Sequence, residues 1–288
     1  MQPLLLRLLP DLRLPKKPVR DQLPDIEHIR KCLRVVFGPR TGRTTRRGYV
    51  YRRIVWSIFL ANGPRRGELS TIEMRDIDSD RAIVDLDKSW CRHHGGFIKP
   101  PKTEAGDRDI WLPRQAMEAI HFKERMWPDE RLLFQPKDDA DRCIYGGMYG
   151  SYLRKVAKEA GLTPEEIKGT LHFHGMRSHN ASMLDALGMS RALIKQNLGH
   201  SRVERGDITS VYIHAIDLGN ERRRMAQASI DWLMDGIEIT PLEEAMGLAK
   251  TGYQRLTADE RREYHREYRA TRKALPAPAA DNTRTKAT

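Results

Sequence analysis

Asn62-Gly63-Pro64-Arg65-Arg66-Gly67-Glu68-Leu69 is the stretch on which the fold hinges. Asn-Gly-Pro is a turn signal: glycine reaches left-handed backbone, and proline fixes φ and lacks the N–H that a continuing helix needs. Upstream, residues 46–61 place Val50, Ile54, Ile58 and Phe59 at helical spacing, so a helix should end at the turn. Downstream, Leu69 and Ile72 predict a second helix from Arg65 to Arg75. Further upstream, Ile26, Ile29, Leu33 and Val36 share one face of a helix that starts at Pro24-Asp25. Gly38, Pro39 and Gly42 break that helix.

Past the turn the periodicity changes from 3.6 to 2. Arg81-Ala-Ile-Val-Asp-Leu86, Gly96-Phe-Ile-Lys99 and Arg108-Asp-Ile-Trp-Leu112 read as strands, with Lys102-Thr-Glu-Ala-Gly-Asp107 as the hairpin tip between the last two. Helical spacing resumes over about 113–126, 146–160, 175–187, 190–198 and 217–234, with a brief apolar strand at Leu132-Leu-Phe134. The result is an α+β chain, mostly helical with a small antiparallel sheet. Residues 1–24 read as an arm or linker, 25–235 as the principal domain, and 236–288 as a helical segment with a disordered tail. In the last region Thr257-Ala-Asp-Glu260 opens a charged helix, and Ala274 onward is rich in Ala, Pro and Thr.

Composition narrows the function classes. Among 288 residues, 51 Lys plus Arg against 39 Asp plus Glu give a net charge of +12. The first ten residues are interrupted by Arg7 and Pro10, too short an apolar run to cross a bilayer. Three cysteines (Cys32, Cys91, Cys143), odd in number and far apart, exclude a disulfide framework and fit a reducing cytosol. From Phe37 to Val55 no acid occurs, whereas Arg40, Arg43, Arg46, Arg47, Arg52 and Arg53 do, with Tyr49 and Tyr51 between them. Arginine forks suit phosphate oxygens, so this run is a candidate DNA-binding patch.

Five segments carry the chemistry: Asn62-Gly-Pro-Arg65-Arg-Gly-Glu68-Leu69, Lys102-Thr-Glu-Ala-Gly-Asp-Arg108-Asp-Ile-Trp-Leu-Pro113, His174-Gly-Met-Arg177, Leu198-Gly-His200 and Thr209-Ser-Val-Tyr212. In this order they resemble the catalytic domain of the tyrosine recombinase (phage integrase) family, over about residues 25–235. The resemblance implies that Arg65, Lys102, His174, Arg177, His200 and Tyr212 are catalytic and that Glu68 supports Arg65. It also implies site-specific cutting and rejoining of double-stranded DNA through a 3′-phosphotyrosyl intermediate, with no cofactor or metal. By the same resemblance the chain would work as a homotetramer on DNA, in the cytoplasm near the nucleoid and away from membranes. The stretch 237–249 (Ile237, Ile239, Leu242, Met246, Leu248) would dock onto a neighbour.

These residue types meet the chemical demand without the family name. Metal-free cleavage of a phosphodiester needs a nucleophile that retains the phosphate, cations on the non-bridging oxygens, and an acid for the departing 5′ oxygen. Arg65 follows a rigid turn at a helix start, where N–H dipoles also favour anions. His174 and Arg177 stand at i and i+3, on one helical face. His200 follows Gly199, the expected left-handed stop of a helix. Lys99 and Arg108 compete with Lys102 for the acid role. His172, His179 and Cys91-Arg-His93-His94 offer no completed metal set.

The chain departs from the family pattern twice. The interval from His200 to Tyr212 is longer than usual by roughly one helical turn, with the excess in Arg202-Val-Glu-Arg-Gly-Asp207. Family members usually carry an N-terminal helical clamp, whereas only 24 residues precede the principal domain here. Either the chain is a fragment, or the arm and the Arg40–Arg53 run replace the clamp. The alternative readings are a catalytically impaired DNA-binding relative and a type IB topoisomerase-like enzyme.

Overall fold

The computed structural model describes residues 23–42, 44–91, 96–101, 104–136, 146–200 and 218–248, together with 262, 263 and 266. The chain divides into two compact units, Met1–Leu242 and Glu243–Thr288. The elements of the site all belong to the first, which runs past residue 235. Among the described residues no helix is long and apolar enough to cross a membrane.

Helix α1 (Ile26–Phe37) begins where Asp25 accepts the Glu27 N–H at 2.7 Å, and it buries Ile29, Cys32, Leu33, Val36 and Phe37. Helix α2 (Arg46–Asn62) is capped by Thr45, which accepts the Gly48 N–H at 3.1 Å. A one-sided apolar stripe was the expectation from its sequence. Instead every residue from Tyr49 to Asn62 is buried, because α2 is the central post and other elements surround it. It ends at Gly63 in left-handed backbone (φ 57°).

The helix expected over Arg65–Arg75 stops after one turn, as α3 (Arg66–Leu69). Its continuation is diverted by residues 131–133. The Met74 N–H donates to Arg131 O and the Leu133 N–H to Ile72 O, both at 2.8 Å, and Glu73 bridges to Leu132. The strand expected at Leu132–Phe134 is reduced to that bridge.

Among the described residues two small antiparallel sheets form rather than one. β1 (Ile77–Asp78), β2 (Ile83–Leu86) and β5 (Arg108–Trp111) make the first, in the order β1-β2-β5. β3 (Ser89–Cys91) and β4 (Phe97–Lys99) make the second. Residues 104–107, expected in a hairpin tip, instead lie between strands of two different sheets, with a 3-10 turn at Glu104–Gly106; residues 102 and 103 lie outside the described residues. The burial pattern gives the reason. β5 turns Arg108 and Ile110 inward against β2, whereas Phe97 and Ile98 of β4 are exposed.

Helices α4 (Arg114–Met126), α5 (Gly146–Glu159), α7 (Phe173–Ala186), α8 (Arg191–Leu198) and α9 (Leu218–Met234) fall where periodicity placed them. Helix α6 (Pro164–Thr170) was not anticipated, although Thr163, Pro164 and Glu166 form a capping box at its start. The chain then reaches a short helix, α10 (Leu242–Ala245). The main core joins α1, α2, α5, α6, α7 and α9 around Leu33, Trp56, Leu60, Val156, Met176 and Ile230. A second cluster holds α8 through Leu184, Leu193, Leu198 and Met225.

The docking segment expected over residues 237–249 begins inside the fold. Ile237 belongs to the main core, and the Thr240 N–H donates to Phe37 O at 2.8 Å, so this part of the segment is built into its own chain.

Candidate active site

The site grows from the C-terminal end of α2. A helix leaves its last carbonyls without internal partners, and they carry the negative end of the helix dipole. Here two other helices supply donors. Asn180 of α7 donates to Leu60 O at 2.8 Å, Asn197 of α8 to Asn62 O at 3.2 Å, and Arg177 of α7 to Gly63 O at 2.6 Å. Asn62 itself donates to Trp111 O of β5 at 2.6 Å. Gly63 is required at this crossing: a Cβ there would lie 3.3 Å from both Cα and Cγ of Arg177, on left-handed backbone.

Arg177, 9% exposed, is held on three sides. Besides Gly63 O, its guanidinium donates to Leu198 O and meets His200 Nε2 at 3.1 Å. Arginine has no acceptor, so His200 must present a lone pair at Nε2 and carry its proton on Nδ1. The electrostatics agree. Burial, then Arg177, Arg65, Arg108 and Lys195, push the His200 pKa below the usual imidazole value, favouring the neutral ring. Burial, with Arg65 and Arg108 against a partial offset from Glu68, lowers Arg177 to about 10. It stays charged at neutral pH. In both shifts burial is the larger cause, and the neighbouring cations act in the same direction.

Arg65 stands just before α3, its side chain 45% exposed. It donates to Glu68 Oε1 at 2.8 Å and to Gly199 O at 3.0 Å, and its backbone N–H donates to Glu68 Oε2 at 2.7 Å. Glu68 is 2% exposed. Burial acts to raise its pKa, but Arg108 and Arg65 outweigh this and hold it below the ordinary carboxylate value. Arg108 is the residue whose part was missed. It was weighed as an alternative proton donor, yet its side chain is 4% exposed and forks onto Glu68 at 3.0 and 3.2 Å. The Lys-Thr…Arg-x-Ile pattern located the residue, but nothing local indicated that it points inward.

Gly199 closes α8 in left-handed backbone (φ 66°), with its N–H to Gln196 O and the His200 N–H to Lys195 O. That stop places His200 beside Arg177. His174 is exposed in the first turn of α7, which is capped by His172: Nδ1 accepts the Gly175 N–H at 3.0 Å. Arg65, His174 and Arg177 line one cleft of about 400 Å³, together with Arg66, Arg154 and His172; among the described residues no carboxylate lines it. His179 is a buried core residue instead, pushed down to about 4 by desolvation. Lys102 and Tyr212 lie outside the described residues, as does Arg43. Among the described residues no group of His, Cys, Asp and Glu is placed to hold a metal ion.

Within the arginine run of residues 40–53, Arg47, Arg52 and Arg53 are engaged inside the fold. Arg52 forks onto Glu159 at 2.7 and 2.9 Å. Arg53, 1% exposed, donates to Phe37 O and Tyr49 Oη and covers the C-terminal end of α1. Arg47 pairs with Glu130 at 2.5 Å and stacks over Trp127. Arg40 is half-buried and donates to Thr44 O at 2.6 Å, while Arg46 is exposed.

Two arginine forks, two imidazoles and a buried carboxylate behind them match the ordered motifs, and the phage integrase family model matches residues 43–217, more than half of the chain. The chain belongs to the phage integrase family. It is 30% identical over 141 residues to a prophage phiRv2 integrase of Mycobacterium tuberculosis strain H37Rv, covering 48% of this chain and 36% of that protein. It is 28% identical over 189 residues to the integrase of Enterobacteria phage P4, covering 65% of this chain and 41% of that one. This integrase-family chain thus spans well under half the length of either relative. The fold is similar to that of the Tn1549 transposon integrase solved with transposon right end DNA: TM-score 0.51, 22% identity, 75% of this chain and 69% of that one.

Proposed function

We propose that this chain is the catalytic part of a site-specific DNA recombinase, and that Tyr212 is its nucleophile. The observation that carries the reading is the convergence of Arg65 and Arg177 on one cleft, with His200 bound to Arg177 and Glu68 fixing Arg65 from behind. A phosphodiester in that cleft receives two guanidinium forks on its non-bridging oxygens, the charge that must be neutralised as the pentacoordinate transition state forms. The Tyr212 oxygen attacks phosphorus, and the bond to the 5′ oxygen breaks. Lys102 protonates that leaving oxygen, and a 3′-phosphotyrosyl ester remains. A 5′ hydroxyl from a second strand reverses the steps, releasing the tyrosine and sealing a new junction. His200, protonated on Nδ1, donates to the phosphate, and His174 handles the phenol proton at the rim. Assembly as a homotetramer on two duplexes follows from the family resemblance.

The decisive experiment uses a nicked duplex that loses a short fragment after cleavage, so the covalent complex cannot reverse. Genomic fragments carrying such nicks are incubated with wild type and with Tyr212→Phe and run on a denaturing gel. A protein–DNA adduct from wild type alone is the expected result. An adduct from both moves the nucleophile to another tyrosine. Salt-sensitive binding without any adduct favours a binding protein over an enzyme.

A further inference from the structure

We infer that Arg108 is a positioning residue for the strand-transfer reaction, acting through Glu68 on Arg65 and through the α8 stop on His200; this rests on the recombinase reading above. Arg108 leaves β5 pointing inward, and each part of its fork is engaged. Nη1 and Nη2 hold Glu68 at 3.2 and 3.0 Å, Nε donates to Asn197 O at 2.9 Å, and Nη1 also reaches Gly106 O at 3.0 Å. Four separate segments thereby meet at one guanidinium: β5, the turn of 104–106, the start of α3 and the end of α8. Two of these present catalytic groups directly. Glu68 is the carboxylate that orients Arg65, and Asn197 lies three residues before His200.

The packing shows how little play the arrangement has. A Cβ on Gly199 would come within 2.6 Å of Arg108 Nη1 and 2.8 Å of its Cζ, so the α8 stop lies directly against the guanidinium. With both Glu68 oxygens occupied by Arg108 and Arg65, the carboxylate has one orientation available, and Arg65 is aimed accordingly. A planar fork satisfies this set of acceptors, whereas an ammonium is a point donor and cannot span them. Arg108 is not among the residues lining the cleft and its side chain is 4% exposed, so its loss should slow the chemical step without weakening DNA binding.

The test uses the full chain with the nicked duplex, in single turnover at saturating protein, with DNA affinity and thermal unfolding measured in parallel. Arg108→Ala should cut the cleavage rate on the order of a hundredfold while affinity stays within about twofold, and Arg108→Lys should fall at least about tenfold. Guanidinium ion added below denaturing concentration should restore part of the Arg108→Ala rate, and urea, its neutral isostere, should not. A folded Arg108→Ala or Arg108→Lys protein cleaving at the wild-type rate overturns the inference. So does a loss that urea or an osmolyte recovers as well as guanidinium does, since that is simple destabilisation. If Arg108→Ala does not fold, the Arg108→Lys rate decides. Absence of an adduct from wild type overturns the recombinase reading, and this inference with it.

Discussion

Arg65 and Arg177 hold equivalent places in the proposed chemistry but different places in the fold, and mutation should separate the two roles. Arg65 is 45% exposed, so Arg65→Ala should abolish strand exchange with little change in melting temperature. Arg177→Ala should abolish exchange too. It also leaves the carbonyls of Gly63 and Leu198 without their donor, which costs about 1–3 kcal/mol for a buried polar group. Calorimetry on the two variants checks the difference. His179 gives a pH signature. Its folded pKa is about 4 against an unfolded value near 6.5, so below about pH 6.5 the unfolded chain binds a proton that the native one refuses. Stability should fall as pH drops from 6.5 towards 4, by up to about 3 kcal/mol from this residue. Denaturant titrations across that range should show His179→Gln with the shallower slope.

At the scale of elements, the end of α2 organises the site, and two glycine stops set its geometry. Gly63, Gly188 and Gly199 all have positive φ, but only Gly188 has open space where a Cβ would be. Gly188→Ala should therefore cost only the backbone strain, about 1 kcal/mol, and leave cleavage intact. Gly63→Ala and Gly199→Ala carry the same strain and also push on Arg177 and Arg108, so both should lose cleavage as well as stability. Single-turnover rates with melting curves for the three variants check this. The glycines were legible as helix stops because Asn-Gly-Pro and Leu-Gly-His are local signals. The guanidinium against each one was not, because Arg177 lies 114 residues from Gly63 along the chain.

Across the whole molecule, the acid-free stretch from Phe37 to Val55 shows how composition misleads. Two of its cations are neutralised by partners far away in sequence: Arg52 by Glu159, 107 residues on, and Arg47 by Glu130. Glu130 also binds the fully buried Lys123 at 3.0 Å and Tyr51 at 3.0 Å. Arg52→Gln should thus lower the melting temperature and leave the salt dependence of DNA binding unchanged. Removing a residue that contacts phosphate should instead reduce the slope of log K against log salt by about 0.9 per contact. Fluorescence anisotropy over a salt series distinguishes the two.

What the sequence determined by itself is what local interactions encode. Helix periodicity, the Asp25 cap, the Gly63 and Gly199 stops, and the ordered motifs around Arg65, Arg108, Arg177 and His200 could all be read from neighbours in the chain. Tertiary structure alone decided which arginines face the cleft and which hold the interior, that β5 pairs with β2 rather than β4, and that the helix after Arg65 ends within one turn. The physical reason is the same in each case. A guanidinium's partner, a strand's register and the competing hydrogen bonds of residues 131–133 come from segments distant in sequence, and only closure of the core around α2 brings them within bonding distance.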